Sequence, residues 1–552
     1  MTPPSNAAVA ALLDQYATML QLAGESPFRA RAYTRVSEEL RSLPEPVATL
    51  VAEGRLRELP GVGPALAEAI ADIVDTGRLP QLDQLSEQVP VGLVSVLDLP
   101  GIGIKTAMRL HGELGVVDLD SLEAAAADGR VRATKGMGER LERTITEGLA
   151  TLRRRTGRHS IGVAAPLARQ LAAALASRLP GAVVEVVGSV RRLEETVGGI
   201  DLLVGCSDVE TTITAARQLA VLATASQDAN TLRFMHDAGL PVSLRFVPAE
   251  RFGTELVLAT GNREHVSRLG PLPSEATEDA VYARVGLPWI PPELRQGDAE
   301  FRRHAEIPDL VTVGRIIGEY HCHSTWSDGG ASVAEMAIGA AKRGYRALAI
   351  TDHSHSLGVA NGLSVERLRA QRLEIEAADR TSGVRLLQGS EVEVDRAGNL
   401  DFPDDVLAWL DIVVASTHSG LRQPREQLTD RLLRVIANHN VDIIAHPSGR
   451  LIERRDPGDF DWPRVFAAAA EHGTALEINA DPARLDLNPT HAAAALAAGC
   501  LLTINCDAHE PTGFASMEYG IAVARRAWAP TNRVINTWPV ENLLNWLRSR
   551  SG

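Results

Sequence analysis

Three patterns of apolar and polar positions follow one another along the chain. Over residues 1–150 the apolar positions recur at helical spacing in short stretches, with Gly and Pro at the breaks. That pattern predicts an all-α region of short amphipathic helices. Between 160 and 310 the runs VVEVVGSV, IDLLVGCSD and VSLRFVPAE are short and β-branched, with helical stretches between them, which predicts a mixed α/β region. The stretch PWIPPELRQGDAE and the polar residues after it, to about 318, read as a boundary. Beyond Gly318, ALAITDH, IVVASTH, VDIIAHP, TALEINA and LLTINCDAH alternate with helical patterns such as VAEMAIGAAKRG and HAAAALAAG. This alternation predicts a parallel sheet or barrel, in which the strand C-termini meet at one face.

Composition narrows the picture. At ~100–200 residues per domain, 552 residues make about three to five domains. The net charge of −14 excludes nucleic-acid binding by gross positive charge, so any such contact is local. No run of 18 apolar residues occurs, and no membrane span is expected. The opening MTPPSNAAVAALLDQ does not read as a signal peptide. Cys206, Cys322, Cys500 and Cys506 form no CxxC pair, which fits a reducing, cytoplasmic setting. Ten of the 15 histidines lie after residue 320, which localises the candidate chemistry.

The helical region repeats itself. LPGVGPALAEAI at 59–70 echoes LPGIGIKTAMRL at 99–110, and KGMGERLERTI is a weaker third copy. Gly61 and Gly63, Gly101 and Gly103, and Gly136 and Gly138 each permit a tight turn that opens backbone N–H groups at a helix start. These copies resemble helix–hairpin–helix motifs, which hold DNA backbones without reading sequence. Lys105 follows the second hairpin, and PFRARAYTRV (Pro27–Val36) adds arginines and Tyr33.

The segment VVGSVRRLEETVGGIDLLV (186–204) resembles the nucleotidyltransferase signature of family X DNA polymerases. LVLATGNREH (256–265) and LPWIPPELRQG (287–297) continue the resemblance, which covers nearly all of residues 20–300. It implies a palm-and-thumb fold and a nucleotide-binding set at Gly188, Ser189, Arg192 and Asp201, with Arg191 beside it. The family holds two divalent ions with three aspartates. Here the first position is Gly199, the second is Asp201 and the third is Ser243. One carboxylate and a hydroxyl do not balance two ions, so the set is expected to be vestigial and templated synthesis lost. Where some family members carry a lyase lysine this chain has Ala65 and Ala69, so Schiff-base chemistry is not expected.

Chemistry is dense after residue 318. His321 and His323 end the first strand on one face. Asp328 follows in the loop, and Asp352, His353 and His355 end the next strand. Glu391 and Glu393, His418, His446 with Arg450, and Asp507 with His509 end further strands. Trp326 stands beside the first cluster, open to packing or to stacking on a base. The arrangement resembles the PHP (polymerase and histidinol phosphatase) family over residues 318–552. That resemblance implies a distorted (β/α)7 barrel holding up to three divalent metal ions. The implied ligands are His321, His323, Asp328, His353, Glu391, His418, His446, Asp507 and His509, with Glu393 as substitute for Glu391. His321, His323, Glu391 and Asp507 are the expected catalytic set, with Arg450 at a substrate phosphate. Mixed imidazole and carboxylate donors suit Mn²⁺, Zn²⁺ or Fe²⁺.

The order of regions is similar to that of bacterial family X DNA polymerases with a C-terminal PHP domain. The expected organisation is a multidomain chain. It has helical hairpin domains at 1–85 and 86–155, a palm at 156–250 and a thumb at 251–310. A linker at 311–317 and the PHP domain at 318–552 complete it. The expected function is a DNA-processing phosphoesterase of 3′-5′ exonuclease type, acting on gapped DNA or 3′ ends as a cytoplasmic monomer. Three alternatives stand beside it: a histidinol-phosphate-type phosphatase, an active polymerase with noncanonical ligands, and a non-enzymatic DNA-end scaffold.

Overall fold

The computed structural model describes residues 4–550 except 5, 44, 45, 60, 87, 98, 100, 156, 223 and 304–306. The first three residues of the N-terminal segment, and the hairpin prolines Pro60 and Pro100, therefore lie outside the described residues. The chain divides into two compact units, Met1–Gly157 and Arg158–Gly552.

The first unit is helical throughout its described residues, as the periodicity predicts. Its buried apolar side chains, from Val9 to Leu149, form one cluster among the described residues. The hairpin glycines set the helix starts. Gly61 and Gly101 take φ of +82° and +78°, which β-carbon sterics discourage in other residues. Two residues on, Gly63 and Gly103 cap the helices Pro64–Thr76 and Ile104–Leu114 without any side-chain hydrogen bond.

Among its described residues the second unit holds two large sheets and a two-stranded antiparallel one, His159–Ser160 with Thr196–Val197. The palm-like sheet comprises β1 (Val183–Val187), β2 (Ile200–Cys206), β3 (Ser226–Asp228), β4 (Thr231–Met235) and β5 (Pro241–Pro248). Its order is β1-β2-β5-β4-β3, and only β2 and β5 run parallel. Their register sets Asp201 opposite Ser243.

The second sheet contains β6 (Gly318–Cys322), β7 (Ala347–Ile350), β8 (Arg385–Glu393), β9 (Ile412–Ser416), β10 (Ile443–Ile444), β11 (Ala475–Asn479) and β12 (Leu502–Asn505). The seven strands are parallel and lie side by side in chain order. Their near-continuous apolar runs follow from burial on both faces. The ring closes where Cys322 bridges Ala508, with the His323 N–H donating to the Ala508 carbonyl at 2.9 Å. The architecture is a nearly closed parallel barrel with helices such as Val333–Lys342, Arg425–Ile436 and Pro489–Ala497 between strands.

The stretch 311–317, expected as a linker, is instead packed on the barrel. Val311 is buried and donates to the Ala529 carbonyl, and Ile317 donates to the Asn536 carbonyl at 2.8 Å. Burial of Val311 and Ile316 accounts for the docking, while residues 312–315 stay exposed.

Candidate metal centre

Parallel strands deliver their C-terminal residues to one end of the barrel. His321 lies within β6, and His323 follows its last residue. Glu391 and Glu393 end β8, while His353, His418, His446, Asp507 and His509 occupy the loops just past β7, β9, β10 and β12. Asp328 comes from the loop after β6.

These side chains form four overlapping groups: His323–Asp328–His353–His509, His321–Glu391–His446, His321–His323–Asp507 and His353–Glu393–His418. Within each group the donor atoms lie within 4.8 Å of one another. All nine ligand candidates of the sequence are brought together, and Glu393 joins them. Glu391 is central. Its carboxylate lies 2.9 Å from His353 Nδ1, 3.0 Å from His446 Nε2, 3.4 Å from His321 Nε2 and 3.5 Å from His418 Nε2. Glu393 sits against His418 Nδ1.

Carboxylates and imidazoles here bias one another: burial lowers His321, His353 and His509, but the surrounding carboxylates prevail and raise all three, His353 to about 10 and His509 to about 9. Burial raises the Glu391 carboxyl, but the imidazoles of His353, His418 and His321 outweigh it and hold the group well below the usual carboxylate range. Asp507 is held low in the same way by His321 and His323. Burial and the imidazoles of His353 and His509 push His323 down to about 4, and burial and Arg484 push His446 to about 4. These neutral rings keep lone pairs for a metal. Several buried ring nitrogens, including His321 Nε2, His323 Nδ1 and His446 Nδ1, make no hydrogen bond. A buried polar atom without a partner is costly, and a coordinated divalent ion would satisfy such atoms. The residues therefore fit the implied ions. Asp328 and His509 are the most open ligand candidates, at 34% and 41% side-chain exposure, and mark the solvent side.

Sequence reasoning missed the braces behind the ligands. Glu477, on β11, lies 2.8 Å from His321 Nδ1, accepts from the His446 N–H at 2.6 Å and from Asn505 at 3.0 Å. Asn479 donates to Asp507 at 3.1 Å, and Arg484 Nε lies 3.7 Å from the same carboxylate. The available signal was Glu477 itself, an acid inside the apolar run TALEINA. Trp326 donates to Glu374 at 2.8 Å, and His355 pairs with Asp401 at 3.2 Å.

Arg450 is not brought to the ligand groups. Its guanidinium grips the Glu195 carboxylate at 2.6 and 3.1 Å and donates to the Leu485 carbonyl. The guanidinium expected at a substrate phosphate forms an ion pair with the palm-like region, where Glu195 offers a matching bidentate carboxylate.

The palm-like set is divided. Ser189, Gly199, Asp201, Arg233 and Ser243 line a cavity of about 610 Å³. Gly188 turns beneath it at φ +67°, where a β-carbon would lie 2.9 Å from Asp201 Oδ2. Arg192 faces away, pairing with Glu194 at 3.1 Å and donating to the Thr260 carbonyl at 2.7 Å. Arg191 is neutralised by Glu278, to which it donates twice at 2.8 Å. At Gly199 a β-carbon would meet the Pro241 carbonyl oxygen at 2.6 Å. In the first unit Gly61, Gly63, Gly101, Gly103, Gly136 and Gly138 sit at helix starts, and Lys105 is exposed in the first turn of Ile104–Leu114.

Comparison with known proteins agrees with this anatomy. A helix-hairpin-helix domain model matches residues 4–79, a SAM-like helix-hairpin-helix tandem matches 94–151, and a PHP domain model matches 319–480. Asp507 and His509 lie past the PHP match, yet closure of the barrel returns them to the site. The barrel region is similar to probable phosphatases. One from Thermoanaerobacter sp. (strain X514) is 30% identical over 40% of this chain and 91% of its own length. Another, from Shewanella frigidimarina (strain NCIMB 400), is 31% identical over 43% of this chain and 94% of its own length. The DNA polymerase/3′-5′ exonuclease PolX of Bacillus subtilis (strain 168) is 34% identical over 97% of this chain and 98% of its own length. With hairpins, palm and PHP barrel in the same order, and likeness along nearly the whole length, the chain belongs to the PolX family of DNA polymerase/3′-5′ exonucleases.

Proposed function

We propose that this chain is a DNA-processing, metal-dependent phosphoesterase that removes nucleotides from 3′ ends, and that its palm-like region no longer carries out templated synthesis. One observation carries the reading: four donor groups, linked to one another through His321, His323 and His353, meet at the C-terminal end of the barrel. Divalent ions there would activate water as a nucleophile and neutralise charge on the phosphoryl oxygens. Mn²⁺, Zn²⁺ and Fe²⁺ suit the nitrogen and oxygen donors, with up to three ions over the overlapping groups. Glu477 keeps His321 and the His446 backbone oriented for this task, and Asn479 does the same for Asp507.

The hairpins supply DNA affinity. Uncapped N–H groups after Gly63 and Gly103, with Lys105 alongside, suit phosphates of a gapped duplex. The palm-like cavity keeps Asp201 but has Ser243 opposite and no room for a side chain at Gly199, which supports loss of synthesis. The chain acts as a monomer in the cytoplasm in this reading. A second reading, a small-molecule phosphatase, draws support from the likeness of the barrel to probable phosphatases.

The deciding experiment incubates the purified chain and Mn²⁺ with an end-labelled primer on a gapped template, with and without deoxynucleotides. Shortening in both lanes without extension is expected. Extension with deoxynucleotides refutes the loss of synthesis, and an unchanged primer with rapid histidinol-phosphate turnover favours the second reading.

A further inference from the structure

The segment Arg192–Glu195, inside the palm-like signature and before β2, does not line the palm cavity. It is instead held by Arg526 and Arg450 of the barrel region and by Gln296 of the thumb-like region. Arg526 donates to the carbonyls of Arg192 and Leu193 at 2.8 and 3.0 Å. Gln296 donates to Glu194 at 2.9 Å. Glu195 receives both arms of Arg450, a pair only 28% and 13% exposed.

From Arg450 the contacts lead to the ligand groups. The Arg450 backbone lies four residues after His446 on the same loop. Its guanidinium also holds the Leu485 carbonyl. The neighbours of Leu485 are the working part of that stretch. Asp486 accepts from the Ser448 N–H at 3.0 Å, two residues from His446, and its backbone pairs with that of Asn479. Arg484 reaches Asp507 at 3.7 Å. One bidentate ion pair thus ties a palm-like carboxylate to both loops that carry His446 and the braces of Asp507.

We propose that Glu195 is a positioning residue for the metal centre: by fixing Arg450 it sets the 446–450 and 480–487 loops, so the barrel depends on the palm-like region to hold its ligands. This rests on the reading of the centre as a metal-dependent phosphoesterase. It also gives the palm-like region a task that does not need the missing aspartates.

The test uses the full chain and three variants: Glu195→Gln, Arg450→Lys and the double variant. Lysine keeps the charge but cannot span Glu195 and Leu485 together. Mn²⁺ binding is measured by titration calorimetry, and hydrolysis with the p-nitrophenyl ester of thymidine 5′-phosphate, which is too small to engage the hairpins. Each single variant is expected to weaken Mn²⁺ binding or lower kcat by ~10-fold, with KM nearly unchanged, a magnitude typical of groups that orient metal ligands. The double variant should lose no more than the worse single one, because both remove the same contact. Wild-type Mn²⁺ binding and kcat in Glu195→Gln would overturn the proposal, as would additive losses in the double variant. Faster hydrolysis would also overturn it, by making the pair a restraint. If the parent chain hydrolyses nothing, the functional reading fails, and the Mn²⁺ isotherms of the variants still decide the role of Glu195.

Discussion

The barrel end and the palm-like cavity lie in one compact unit, and both carry residue patterns for phosphoryl chemistry, yet they differ in redundancy. At the barrel end each anionic ligand faces several imidazoles, and Glu477, Asn479 and Asp486 hold the ligands or their loops from behind. In the palm-like cavity Asp201 faces Ser243 across the register, and Gly199 is jammed against the Pro241 carbonyl. A centre that stores charge over a buried network keeps its shape because each member satisfies another. A site reduced to one carboxylate has nothing to hold a second cation, and its arginines find other partners: Arg191 turns to Glu278 and Arg192 to Glu194.

The comparison breaks first at Glu391. Glu391→Ala should lower Mn²⁺-dependent hydrolysis by at least ~100-fold, beyond what loss of an orienting group alone produces, with DNA affinity unchanged in an anisotropy titration. Loss of both would make the centre a structural element.

Next comes Glu278, which tests whether the palm-like arginines serve stability. Burial raises its carboxyl, but hydrogen bonds from Arg191 and Arg295 prevail and lower it from 4.5 to about 2. A depressed carboxylate pKa stabilises the fold above the unfolded value of 4.5 and loses that contribution as pH falls toward 2. Glu278→Gln should therefore cost about 3 kcal/mol in urea unfolding at neutral pH, and the gap to the parent should shrink as pH falls below 4.5. A gap independent of pH would remove the pair from the account.

A smaller effect separates missing chemistry from missing space. Under the proposed loss of synthesis, Gly199→Asp should not bring about nucleotide incorporation, and should cost about 1–3 kcal/mol of stability because its β-carbon meets the Pro241 carbonyl. Restored extension would show that one carboxylate was all the palm lacked. Asp201→Asn should leave hydrolysis unaltered.

The smallest expected change is in the hairpins. Lys105→Gln should reduce the slope of log affinity against log salt by about 0.9, the effect of one phosphate contact. An unchanged slope would place Lys105 off the DNA path.

Much of this protein is local information. The 3.6-residue period of 1–150 and the apolar strand runs after Gly318 announced the helices and the parallel barrel, because each pattern reflects which faces must leave water. The nine ligand candidates were legible too, since they recur at strand ends and strand ends meet in a barrel. So were the gaps at Gly199 and Ser243, which are absences at motif positions. Tertiary structure decided what depends on distant partners. It made Glu391 the centre of the imidazoles and put Glu477 behind His321, 156 residues away. It packed 311–317 onto the barrel and turned Arg450 to Glu195, 255 residues away, instead of to the ligand groups. A guanidinium goes to whichever carboxylate or carbonyl the fold brings within hydrogen-bonding distance, and no spacing along the chain encodes that choice.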